Sequence, residues 1–154
     1  MGMKQILLVA AIIVVALGYS HYERKKQFAA QLEYSRTVAT SHDSCAGKKF
    51  CALVYVAPWC PACKSILPKL HTFSTNSANS KDYGFKLVVG RERNPGDNEK
   101  MAAPFGANGF VDKDSSIHSK LGINYYPTIF IQDQEGTTIL KDNEAFRWMH
   151  EKLL

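Results

Sequence analysis

Residues 57–64 read Ala57-Pro58-Trp59-Cys60-Pro61-Ala62-Cys63-Lys64, and what flanks them decides the fold. Upstream, Phe50 to Val56 is a continuous apolar, β-rich run, the pattern of a strand buried on both faces. Pro58 and Trp59 end it. Downstream, Ile66, Leu67, Leu70 and Phe73 recur at helical spacing and make one apolar stripe. A helix is therefore expected from about Cys60, dying in the Ser/Asn-rich stretch Ser74 to Ser80. Cys60 lies at the helix N-terminus, where unpaired N–H groups and the dipole favour a thiolate. Pro61 suits the first turn, because its missing N–H would be unpaired there anyway. Cys63 follows one turn on, within reach of a disulfide. Such a pair can exchange electrons: Cys60 attacks a substrate disulfide and Cys63 resolves the mixed disulfide. Lys64 adds a little positive field.

Further along, Phe85 to Val89 is a second strand, and Arg91 to Asn98 is a polar loop containing Pro95-Gly96. Asn98 to Ala103 suits a short helix and Gly109 to Asp112 a brief strand. Ser115 to Leu121 suits another helix, stopped by Gly122. Thr128 to Gln132 is a strand, Asp133 to Gly136 a turn, and Thr137 to Leu140 its hairpin partner. Glu144 to Leu154 closes the chain as a helix carrying Phe146, Met149 and Leu153. Early strand–helix units call for parallel pairing and the late hairpin for antiparallel pairing. The expectation is an α/β fold, a mixed central sheet with helices on both faces, without internal repeats.

At this point the chain resembles the thioredoxin superfamily. Trp59-Cys60-Pro61-Ala62-Cys63-Lys64 is similar to its active-site turn, and Pro68 to the proline that kinks the active-site helix. Leu121-Gly-Ile-Asn-Tyr-Tyr-Pro127-Thr128, followed by Ile-Phe-Ile, resembles the family segment that ends in a cis-proline before a strand. Residues 133–136 fall where the family turns its hairpin. The resemblance covers residues 48–154. The insert between residues 91 and 121 is similar to the membrane-anchored, TlpA-like branch. It implies a cis Pro127 packed against Cys60 and Cys63 as a third catalytic residue. Trp59, Pro61 and Tyr126 would line a substrate groove, with the Tyr126 backbone free to pair with a substrate strand. Two departures stand out. The buried carboxylate that thioredoxins place six residues before the first cysteine is Val54 here, and the dipeptide between the cysteines is Pro-Ala.

The chain has 154 residues, 45% of them apolar, enough for one domain with a short appendage. Its net charge of +5 comes from lysines and arginines interleaved with acids, as in Arg91-Glu92-Arg93, which is a solvated surface and not a nucleic-acid face. Ile6 to Leu17 are twelve consecutive apolar residues, ~18 Å as a helix against a ~30 Å hydrocarbon core. Residues 1–20 therefore read as a signal peptide or signal anchor, an N-terminal apolar helix contacting the membrane through residues 5–20. Ala16-Leu17-Gly18 offers a cleavage site, whereas Arg24-Lys25-Lys26 favours an anchor and also a cytoplasmic orientation. Residues 21–47 read as a helical stalk and 48–154 as the folded domain.

Four cysteines fit an oxidising compartment. Cys45 and Cys51 are candidates for a structural disulfide. A c-type haem site is excluded because Lys64, not His, follows Cys63, and the four cysteines lack zinc-module spacing. No metal site is expected, and no organic cofactor, because the Cys60–Cys63 disulfide carries the electrons. His21, His42, His71, His118 and His150 read as surface residues, and Trp148 as packing.

The expected function is an exported, membrane-tethered thiol–disulfide oxidoreductase in the cell envelope, on the extracytoplasmic face of the membrane or in the periplasm, reductive in direction. Its partners would be cysteine-containing proteins and an oxidoreductase that resets the couple. Alternatives are an oxidase or isomerase of exported proteins, a metal-delivery or assembly factor on the same scaffold, and a domain tethered from the inside.

Overall fold

The computed structural model describes residue 13 and residues 15–26 and 43–153 of the chain. Residues 15–26 are helical (α1), with Val15, Leu17, Tyr19 and Tyr22 exposed. Among the described residues no helix is long and apolar enough to cross a membrane. The expectations for residues 1–12 and 27–42, most of the apolar run and of the stalk, lie outside the described residues.

A 3-10 turn at Asp43–Cys45 leads into β1 (Phe50–Val56), followed by α2 (Pro61–Asn79), β2 (Tyr83–Gly90), α3 (Asp97–Ala102) and a second 3-10 segment, Ala103–Asn108. Then come β3 (Gly109–Asp112), α4 (Ser116–Lys120), β4 (Thr128–Asp133), β5 (Thr138–Lys141) and α5 (Asp142–Glu151). The five strands lie in the order β3-β2-β1-β4-β5. β1 is central because it pairs in parallel with β2, Phe50 opposite Tyr83 through Val56 opposite Val89, and antiparallel with β4. β3 adds in parallel and β5 antiparallel, so the sheet is mixed as expected.

Alternation along β1 makes two cores. Ala52, Val54 and Val56 point to one face, where they meet Leu70 and Phe73 of α2, Phe105, and Ala145 and Met149 of α5. Leu53 and Tyr55 point to the other, against Ile117 of α4, Leu121 and Ile123. This two-sided cover explains why Cys51 to Val56 are all buried and why β1 lacks polar alternation.

Several element ends shift slightly from the sequence reading, as in β2, which begins at Tyr83 and not Phe85. α2 runs into the Ser/Asn-rich stretch and ends within it at Asn79, as expected. Its late hydroxyls bond their own turns: Thr75 Oγ1 donates to the His71 carbonyl at 3.0 Å and Ser77 Oγ to the Ser74 carbonyl at 2.7 Å. Ser74 and Ser77 are buried, Ser77 Oγ being satisfied within the helix and Ser74 Oγ by Asn108 Nδ2. α5 begins at Asp142, two residues before the expected Glu144. The α4 stop is as expected. Gly122 takes φ +59°, Ile123 N donates to the His118 carbonyl and Gly122 N to that of Ser119, a Schellman closure.

Candidate active site at the α2 N-terminus

At the C-terminal end of β1 the backbone turns through Ala57-Pro58-Trp59, with Cys60 N donating to the Ala57 carbonyl at 3.1 Å. Cys60 is the N-cap of α2, in extended conformation at φ −82°, and Pro61 occupies the first turn. The Cys60 Sγ accepts the Cys63 backbone N–H at 3.1 Å. That N–H is one of the donors a helix start leaves unpaired, so the sulfur does the work of a capping oxygen. The first turn carries no acidic residue that would oppose a negative sulfur there. Cys60 and Cys63 are joined as a disulfide, with Cα atoms 5.2 Å apart. Cys60 is 5% exposed and Cys63 fully buried, so of the pair Cys60 lies nearer the surface.

The Tyr126–Pro127 bond is cis, the geometry the resemblance implies. The preceding carbonyl, of Tyr126, lies 3.6 Å from the Cys60 Sγ. Helix start and proline loop thus meet at one sulfur. Val54 is fully buried in the same apolar cluster as both cysteines. Among the described residues the sole buried carboxylate is Asp112, and its partner Tyr55 belongs to the opposite core. The apolar surroundings raise the energetic cost of a Cys63 thiolate.

Around the sulfur stands an aromatic wall. Tyr126 packs edge-to-face on Trp59, with centroids 5.3 Å apart, and against Tyr55 and His118 at 6.0 and 5.9 Å. Trp59 Nε1 donates to the Arg91 carbonyl at 2.6 Å, and the Arg93 guanidinium lies 4.3 Å over its ring. Arg91 itself takes φ +63°, a left-handed conformation uncommon outside glycine. Beneath the wall, Tyr55 Oη donates to Asp112 Oδ2 at 2.8 Å, and the same carboxylate accepts the N–H groups of Ile117 and His118 at 3.2 and 2.9 Å. One carboxylate therefore ties β1 and the end of β3 to α4. Gly90 is required beside it, because a Cβ there would overlap the Tyr55 hydroxyl.

The electrostatics follow from these contacts. Burial, then the Asp112 carboxylate, pushes the Tyr55 phenol far above its ordinary value. Burial raises Tyr126 and Arg91 offsets part of the rise. Burial lowers His118, Arg91 lowers it further and Asp112 opposes.

The structure brings together Trp59, Cys60, Pro61, Cys63, Tyr126 and Pro127. Cys45 and Cys51 form a second disulfide, with Cα atoms 5.5 Å apart, at the opposite end of β1 and away from this cluster. Tyr125 is exposed, and its hydroxyl donates to the Asp142 carboxylate at the start of α5. Trp148 packs against Phe50, Phe73 and Tyr83 as expected. His118 is a correction: it is half-buried against Tyr55 and Tyr126, because Asp112 draws the first turn of α4 onto them. Sequence reasoning also missed Arg91, Arg93, Tyr55 and Asp112 as neighbours of the site. The pattern Arg91-Glu92-Arg93 at the exit of an apolar strand was the available signal. Among the described residues no three His, Cys, Asp or Glu side chains group to hold a metal ion.

No family model and no curated protein matches the chain. Solved structures do. The exposed lipoprotein thioredoxin Etrx1 of Streptococcus pneumoniae is 20% identical, with a TM-score of 0.53, over 68% of this chain and 86% of that one. A thiol:disulfide interchange protein from Bacteroides sp. is 17% identical, with a TM-score of 0.51, over 69% and 72%. Mycobacterium tuberculosis DsbF is 20% identical, with a TM-score of 0.50, over 70% and 82%. The chain has a thioredoxin-like fold. On that fold it carries a close cysteine pair at the start of α2.

Proposed function

We propose that the protein is a thiol–disulfide oxidoreductase acting on cysteine-containing proteins, reductive in direction. The observation that carries this reading is the Cys60 sulfur, capping α2 and facing the Tyr126 carbonyl, with Cys63 buried behind it. In the reduced protein the Cys60 thiolate attacks one sulfur of a substrate disulfide. A Cys60–substrate bond forms, and the other substrate sulfur leaves as thiolate and takes a proton from water. Cys63 then loses its proton to solvent and attacks Cys60 Sγ, expelling the second substrate thiolate. The substrate gains two electrons, and the Cys60–Cys63 pair is left oxidised. A partner dithiol must return two electrons. No organic cofactor enters the balance.

Pro127 and Tyr126 position the incoming strand, and Trp59 and Pro61 border it. Water or another group carries the Cys63 proton, given Val54 where thioredoxins hold a carboxylate. Residues 5–20 tether the domain, which works on the extracytoplasmic face of the membrane. The apolar run Ile6 to Leu17 and the Cys45–Cys51 disulfide support that placement.

The test uses a Cys63→Ser variant, which can attack but not resolve. Mixed with a disulfide-bonded peptide, it should accumulate a Cys60–peptide adduct visible by mass, and Cys60→Ser should not. Absence of the adduct, or its formation through Cys63, would refute the assignment.

A further inference from the structure

We infer that a basic cleft beside Trp59 receives carboxylate side chains of the substrate, so that the protein selects disulfides flanked by Asp or Glu. This deepens the proposed function and rests on it. The cleft, about 420 Å³, lies where β2 and β3 end and is lined by Trp59, Arg91, Arg93, Asn98 and Lys113. The ion pairs among the described residues are Lys49–Asp82 and Lys100–Asp97, so none engages these three cations. Glu92 is the one carboxylate at the cleft, and its Oε2 is taken by the Asn98 backbone N–H at 3.1 Å.

A second observation points to a ligand. Asn98 is 3% exposed, and its Oδ1 has no hydrogen-bond partner among the described residues. A buried acceptor left unpaired is costly and rare in native structures. Asn98 lines the cleft, and a rotation of its amide would present this oxygen to a peptide N–H entering there. Three cations with one buried acceptor therefore match a peptide segment bearing a carboxylate, whose two oxygens suit the arginine fork.

The position ties the cleft to the chemistry. Trp59 is covalently next to Cys60, its ring carries Arg93, and its indole N–H holds the Arg91 carbonyl. An extended substrate advances ~3.3 Å per residue. The cleft adjoins the residue next to Cys60, so a side chain in it belongs to a residue close in sequence to the cysteine whose sulfur Cys60 attacks. The left-handed backbone at Arg91 aims this corner of the chain at the site edge instead of continuing β2.

The experiment uses the reduced full chain and three disulfide-bonded peptides identical except for Glu, Gln or Lys beside the cysteine. Second-order rate constants for their reduction are measured at low and high salt. The Glu peptide should react about tenfold faster than the Lys peptide at low salt, because cleft charge raises the on-rate. The ratio should shrink with added salt and approach one in an Arg93→Gln/Lys113→Gln variant. A wild-type ratio near or below one, with all three peptides reduced, overturns the inference and leaves the oxidoreductase reading standing. If no peptide is reduced, that reading fails, and binding alone decides the cleft. The Trp59 indole N–H resonance is then followed during titration with acetyl-Glu-Ser-Glu-amide and its Lys counterpart. A shift with the Glu peptide alone supports the cleft; none with it, or an equal shift with both, overturns it.

Discussion

Asp112 offers the sharpest energetic test of the site's scaffold. Its carboxylate accepts three hydrogen bonds in a buried setting: from Tyr55 Oη and His118 N on Oδ2, and from Ile117 N on Oδ1. Asp112→Asn can keep two of the three by placing its oxygen where Oδ2 sits. The new amide NH₂ then faces the Ile117 N–H, donor against donor. One buried N–H left without an acceptor costs about 1–3 kcal/mol, so a loss of about 2 kcal/mol is expected. Asp112→Ala strands all three donors and leaves a void, and the expected loss is about 4 kcal/mol or more. Tyr55→Phe removes one bond to a charged acceptor, about 1.5–3 kcal/mol, and combined with Asp112→Ala should add little, since the partner is already gone. Urea unfolding at pH 7 of the wild type, three single variants and the double variant measures these losses. An Asp112→Ala loss below about 1 kcal/mol would contradict the claim that this carboxylate ties β1, β3 and α4 together.

Three further outcomes follow from other groups. His118 is held below its ordinary value in the folded state, so the unfolded chain takes up its proton first; stability should fall as pH drops below about 6.5, and His118→Asn should flatten that slope in pH-dependent urea unfolding. Burial lowers Lys86 to about 8, so the folded form prefers it neutral; stability from this group should rise between about pH 8 and 10.4, and Lys86→Met should remove the rise. The Cys45–Cys51 bridge spans a sequence separation of six; replacing both cysteines by Ser should cost about 2 kcal/mol by loop-closure entropy, and calorimetry showing no change in melting temperature would argue against a stabilising role.

The sequence carried the order and type of the strands and α-helices from β1 onward, because apolar periodicity and turn residues mark each of them. β1 and β3 begin and end at the expected residues, whereas β2 starts earlier, at Tyr83, and ends later, at Gly90, than its apolar run. The start of α2 was legible for the same reason, through Pro58, Trp59 and Pro61. The end of α2 was legible too, in the Ser/Asn-rich stretch, but the burial of Ser74 within it was not; Asn108 Nδ2 donates to Ser74 Oγ at 2.7 Å. Cys60 and Cys63 announced themselves by spacing, and Pro127 through the family resemblance. The ring of residues behind them did not. Tyr55, Asp112 and His118 come from three separate elements and meet only through the pairing of β1, β2 and β3. Arg91 and Arg93 look like ordinary surface charge until the turn after β2 lays them on Trp59. Side chains that share one element are visible as a pattern, and those joined by sheet register are not.

The most direct measurement is the reduction potential of the Cys60–Cys63 couple, taken in the chain with Cys45 and Cys51 replaced by Ser and equilibrated against glutathione buffers. The account predicts a single two-electron couple at or below about −250 mV, as a reductase requires. A value above about −180 mV would contradict the reductive direction and make the protein an oxidant or isomerase. No two-electron couple at all would contradict the oxidoreductase reading itself.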